Sequence, residues 1–218
     1  MDVLENPSRF DRANTFLEKL SGVTDTLLIS ILFVITCIPV FTVGASLTSL
    51  YYTMVKVIRH KRGKAVESYF ACFKRNFRQS LWLTLIFLGY VLVGLGDIYA
   101  IGLLSQGGGG TLSVVRWLYL LPAAVMLPWV FPYLSRFADT NKTILKNSFR
   151  LAVRYLGTTA LALLLFAVFG LSARFVPIVL PLLPAPLCLI LSRRTEKVFR
   201  TLTEGREHIP GTDEWYNE

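Results

Sequence analysis

The chain has 218 residues, 53% of them apolar and only 17% charged, with a mean hydropathy of +0.52 and a formal net charge of +9. Soluble domains carry about 25% charged residues, so there are too few polar side chains to cover a water-facing globule. The same figures exclude disorder, a disulfide framework and a fibrous repeat. A single integral membrane domain over residues 1–218, all-α and polytopic, is the expectation.

In chain order, residues 1–21 mix acidic and basic side chains, with Phe10, Ala13, Leu17 and Leu20 at helical spacing. They read as an amphipathic segment and lack the cleavage pattern of a signal peptide. Runs free of Asp, Glu, Lys and Arg then occupy residues 26–55, 79–96, 98–115, 117–135, 155–173 and 175–192. Crossing the hydrocarbon core takes about 20 apolar residues. The first run is too long for one helix and contains Pro39 and Gly44, so it divides into a helix over 24–40, a turn over 41–45 and a helix over 46–58. The second of these is short and carries Thr48, Ser49 and Thr53, which leaves a half-span as its alternative.

The run 98–115 contains Gly107 to Gly110 and reads as a helix end followed by a flexible turn. Further helices are predicted over 80–103, 112–134, 156–173 and 175–192. That makes about six transmembrane helices, with five as the alternative. Pro122, Pro128 and Pro132 bend the fourth; Pro177, Pro181, Pro184 and Pro186 leave the sixth partly unwound. Residues 193–218 read as a cytoplasmic tail.

Of the 23 basic residues, all but Arg116 and Arg174 fall in segments 1–21, 56–78, 136–154 and the tail. The positive-inside rule places both termini in the cytoplasm, N-in and C-in. The net charge is therefore a topology signal; no nucleic-acid-binding module accompanies it.

Two cytoplasmic stretches carry similar hexamers, Phe73 to Arg78 and Leu145 to Arg150. Each belongs to an amphipathic helix: Val66, Tyr69, Phe70, Phe73 and Phe77 form one apolar face, and Ile144, Leu145, Phe149, Ala152 and Leu156 the other. Lys74, Arg75, Arg78, Lys146, Arg150 and Arg154 are candidate contacts to anionic lipid or to a cytoplasmic partner. On the opposite side, Asp97, Arg116 and Arg174 form a candidate polar cluster, read either as an interfacial ion pair or as a ligand-facing vestibule.

Nothing in the sequence points to catalysis. His60 and His208 lie in charged segments, Cys37, Cys72 and Cys188 lack metal-ligand spacing, and no phosphate-binding loop occurs. No metal, no cofactor and no enzymatic activity are expected, and the three cysteines should be free thiols.

The segment Ile38 to Ser46, I-P-V-F-T-V-G-A-S, resembles the I-P-[VI]-x-T-[IV]-G-A-[SA] signature of the YesL family of small bacterial membrane proteins. Phe-Lys-Arg-Asn-Phe before the third helix and Lys-Asn-Ser-Phe before the fifth resemble that family's loop motifs. Physically, Pro39 should end the first helix, Gly44 permit a turn with positive φ, and Thr42 and Ser46 cap the next helix. The resemblance implies a bacterial cell-membrane protein near sugar import: a non-enzymatic accessory to a carbohydrate ABC importer or to another membrane protein. The alternative is a small transporter or channel in its own right.

Overall fold

The computed structural model describes residues 7–104, 110–175 and 181–203. Among them the chain is all-α, with seven helices: α1 (Pro7–Thr36), α2 (Val43–Thr53), α3 (Ala65–Leu104), α4 (Gly110–Arg136), α5 (Asn141–Arg154), α6 (Leu156–Phe175) and α7 (Pro184–Thr203). A 3₁₀ turn, Val40–Thr42, leads into α2, and a π-helical turn, Met54–Arg59, leads out of it.

The signature segment makes the α1–α2 turn, but two of its residues work differently from the expectation. Thr42 does not cap α2. Its Oγ1 lies 2.6 Å from the carbonyl oxygens of both Thr36 and Pro39 and donates backward, reaching the Thr36 carbonyl at the end of α1 and the Pro39 carbonyl that also accepts from the Thr42 N–H. Ser46 likewise donates to the Thr42 carbonyl at 3.0 Å rather than accepting from a free N–H. Gly44 lies inside α2, and the positive-φ residues among those described are Lys61 and Gly63. What Gly44 supplies is space. A Cβ there would overlap Thr84 Oγ1 and the Phe131 ring, with Phe131 Cζ only 2.9 Å away. Pro39 keeps its expected role, with extended dihedrals that end the helical path.

α2 is buried along nearly its whole length because its residues are small or bond to their own backbone. Thr48, Ser49 and Thr53 each donate to the carbonyl four residues earlier, at 2.8 Å. Hydroxyls satisfied in this way let neighbouring helices approach without stranded polar groups. α1, α3, α4 and α7 all pack against this short helix.

α3 fuses the expected amphipathic stretch and the following span into one helix of 40 residues. The expected apolar face divides: Tyr69 is fully buried, while Val66 and Phe70 are exposed. The Tyr69 hydroxyl meets Thr36 Oγ1 at 2.6 Å. That bond holds the end of α1 beside the first turns of α3, on the approach to Lys74, Arg75 and Arg78. α4 returns along α3; the Tyr90 and Tyr119 rings stack at 4.5 Å, and Gly94 lets Tyr119 and Leu120 come close. Pro122, Pro128 and Pro132 lie within α4, which continues through all three.

The second hexamer behaves differently from the first. α5 stops at Tyr155 and α6 leaves it at 98°. Thr159 secures the bend: its Oγ1 accepts from Trp129 Nε1 at 3.0 Å and donates to the Ala152 carbonyl at 3.0 Å. The expected face again divides: Ile144 and Ala152 of α5 are buried, while Phe149 of α5 and Leu156, the first residue of α6, are exposed.

Two helix boundaries need correction. The sixth predicted helix, 175–192, is replaced by α7, which begins at Pro184, where a missing N–H costs nothing. It runs to Thr203, so the first part of the expected tail is helix, with Thr195, Glu196, Val198 and Phe199 buried. Phe199 sits at the centre of the core, edge-on to Tyr51, Trp129, Tyr133 and Phe137 at centroid distances of 5.7–6.4 Å. Such pairs contribute about 0.5–1.5 kcal/mol each beyond simple burial.

Six full-length spans are not what the described residues present. By length and composition one helix, Ala65–Asp97, can cross a membrane, or two if the bent pair α5–α6 forms one broken span; the apolar part of α1, Ser21–Thr36, is shorter. α2 has only 11 residues, and the prolines place the start of α7 well after the start of its apolar run. Large apolar side chains are nevertheless exposed along α1, α3 and α6, among them Ile35, Trp82, Val93, Leu164 and Leu171.

Candidate functional site

The most demanding arrangement in the molecule joins α2, α4 and α7. Arg136, the last residue of α4, donates through Nη1 to Glu196 Oε2 of α7. The two side chains are only 2% and 4% exposed. Glu196 Oε1 accepts from the Tyr51 hydroxyl of α2 at 2.8 Å, and that hydroxyl lies 2.8 Å from Thr195 Oγ1. The Arg136 guanidinium also lies 5.7 Å from the Phe199 ring and 6.0 Å from that of Phe137. Nearby, Arg59 donates to the Ser192 carbonyl at 3.0 Å, tying the π turn to α7. His60, next in the chain, is held below the ordinary imidazole range, first by partial burial and then by the adjacent Arg59 charge.

Chemically this is a latch. The carboxylate accepts from a guanidinium on one oxygen and from a phenol on the other. Each charge in a buried pair of this kind needs the other, because desolvation penalises either one left alone. No group of three or more His, Cys, Asp or Glu side chains able to hold a metal occurs among the described residues.

Beside the latch lies a cleft of about 670 Å³, counting its mouth, between α1, α2, α4, α6 and α7. Phe33, Leu50, Phe131, Phe166 and Leu187 line it, and Tyr51 joins them with its hydroxyl committed to the latch.

The residues singled out from sequence are distributed rather than convergent. Lys74, Arg75 and Arg78 are exposed on the first half of α3, with the Arg75 guanidinium 5.3 Å from the Tyr52 ring. Lys146, Arg150 and Arg154 are exposed on α5. Pro39, Thr42, Gly44 and Ser46 shape a turn and a packing notch. Asp97 is exposed on α3. Arg116 and Arg174 fall in α4 and α6, but their side chains lie outside the described residues, as does the expected glycine turn at 107–109. Cys37, Cys72 and Cys188 carry free thiols; Cys72 is buried on α3 against α2.

Residues 26–98 match DUF624. That family model is described as a protein of unknown function. The DUF624 match takes in the apolar half of α1, the turn, α2 and most of α3, about a third of the chain. Gly44, Thr84, Tyr69 and the Tyr51 end of the latch lie within it, whereas Arg136 and Glu196 lie beyond. No curated protein and no solved structure matches the chain.

The latch is not legible in the sequence. Arg136 and Glu196 are 60 residues apart, and both sit in basic segments that the charge distribution assigns to the cytoplasm. One signal was available: Leu191, Thr195, Val198, Phe199 and Leu202 recur at three- and four-residue spacing, which marks a helix with a buried face.

Proposed function

We propose that the chain is a multi-pass membrane protein of the bacterial cell membrane with both termini cytoplasmic, and a non-catalytic accessory to a carbohydrate ABC importer. The importer role follows the resemblance to the YesL family; the membrane reading is supported by the apolar side chains exposed on α1, α3 and α6, since soluble proteins rarely display such contiguous surface. α3, α4 and α6 cross, and α7 returns the chain to the cytoplasm. α1 and α2 form a hairpin that enters and leaves on the cytoplasmic face, the half-span alternative for the second helix. The Thr36–Tyr69 bond favours this hairpin: a turn reaching the far side would lie about 30 Å from the basic approach to α3. The even number of remaining crossings keeps N-in and C-in.

The accessory reading is carried by the cleft. A sugar in transit needs hydrogen-bonding partners to replace its water, and these walls are mostly phenylalanine, leucine and proline, with the Tyr51 hydroxyl committed to the latch. Exposed Lys74 and Arg78 offer a cytoplasmic surface for a partner. Native-membrane pull-down with mass spectrometry should recover importer subunits, and Lys74→Glu with Arg78→Glu should release them and impair growth on an oligosaccharide. Purified protein that moves a sugar into liposomes unaided would replace this reading with the transporter one. For topology, single cysteines at Gly108 and Lys61 should label from opposite sides, and one at Phe41 should resist an impermeant reagent from outside. External labelling at Phe41 would restore a full first span.

A further inference from the structure

α5 carries a second feature of interest. Arg150 and Arg154, one helical turn apart, line a pocket of about 640 Å³ counting its mouth, together with Tyr133, Asn147, Tyr155 and Leu202. Asn147 Nδ2 donates to the Tyr133 hydroxyl at 2.8 Å, and that hydroxyl donates to Asp139 at 2.6 Å, so the pocket wall is braced from behind. Arg154 lies 5.9 Å from the Tyr155 ring. Among the described residues neither guanidinium has a carboxylate partner. Two like charges at i and i+4 repel each other, and an anion between them relieves that repulsion while accepting from both planar forks.

The pocket's position indicates which anion. α5 meets α6 at 98°, so if α6 crosses the bilayer, α5 lies along its surface. Phe149, Val153 and Leu156 are exposed next to the two arginines, and α6 continues with exposed Leu164, Val168 and Leu171. Basic groups at headgroup level above an apolar strip is the pattern of an interfacial helix over anionic lipid. We propose that this pocket binds the phosphate of an anionic phospholipid, with the acyl chains lying along α6. The proposal rests on the membrane reading above but needs no importer.

The test uses the full chain purified in a neutral detergent. Native mass spectrometry and thermal unfolding are followed with phosphatidylglycerol, with phosphatidylcholine of the same chains, and with inorganic phosphate. Phosphatidylglycerol should bind and stabilise, and Arg150→Gln with Arg154→Gln should weaken it by about tenfold or more. Arg154→Lys, which keeps charge but loses the fork, should fall between. Arg193→Gln with Arg194→Gln, exposed on α7, removes equal charge elsewhere and should leave binding intact. Equal binding of phosphatidylcholine, equal loss in the Arg193 and Arg194 control, or full stabilisation by inorganic phosphate would each overturn the proposal. A chain that stays monodisperse without detergent would instead overturn the membrane reading itself.

Discussion

Replacing Glu196 by Gln removes the charge that compensates Arg136 while keeping size and an acceptor for Tyr51. The guanidinium is then left at 2% exposure without its carboxylate. Breaking one side of a buried pair costs about 3–5 kcal/mol. The Phe199 and Phe137 rings remain within 6.0 Å of the guanidinium and retain some of its stabilisation, about 0.5–2 kcal/mol by the usual range for such contacts. A loss of about 3 kcal/mol is therefore expected, equivalent to roughly 6–12 °C in Tm for a chain of this size. Thermal unfolding in detergent, read by size-exclusion of the heated sample, measures it. Arg136→Met combined with Glu196→Leu should recover much of the loss, because an apolar pair of similar volume carries no desolvation penalty. A single variant as stable as the parent, or a double variant no better than the single, would refute the latch.

Gly44→Ala should sharply lower the yield of folded protein, since even one methyl overlaps Thr84 and Phe131, whereas Gly89→Ala, with open space around it, should be neutral or slightly stabilising; fluorescence-detected size-exclusion compares the two. Trp129→Phe strips Thr159 of its indole donor at the α5–α6 bend and leaves a partial void, a loss of about 1–3 kcal/mol readable as a lowered Tm. His60 titrates below its ordinary value of 6.5, so protonation opposes folding; the stability it confers is complete above pH 6.5 and declines as pH falls toward the lowered value. His60→Gln should flatten that part of the pH–stability curve, and an unchanged slope would contradict the assignment.

Sequence patterns located what depends on local chemistry. The charge-free runs 79–96 and 155–173 fall inside α3 and almost wholly inside α6, and Pro39 ends the first helical path as expected. They were silent where distant segments decide. Gly44 read as a turn residue because a glycine after a proline suggests one, yet its neighbours Thr84 and Phe131 are 40 and 87 positions away. The two hexamers looked equivalent, but α3 continues through the first, while Trp129 and Thr159 hold a corner after the second. The basic candidates on α3 and α5 were legible because exposure follows from charge. The latch was not, because a glutamate among arginines reads as surface until its helix is seen to have an inward face.

The hydroxyls of α2 carry one further consequence. With Thr48, Ser49 and Thr53 turned onto their own backbone, these hydroxyls do not fix the register of the helix against its neighbours. Its position is set by a notch at one end, Gly44 against Phe131, and by a pin further along, Tyr51 into Thr195 and Glu196. Substitution tolerance along α2 should therefore follow volume rather than polarity: Ser49→Ala and Thr48→Val pass nearly unnoticed, while changes at the notch or the pin shift the whole rod. A saturation scan of residues 43–53 scored for folded protein in membranes would show that alternation or its absence.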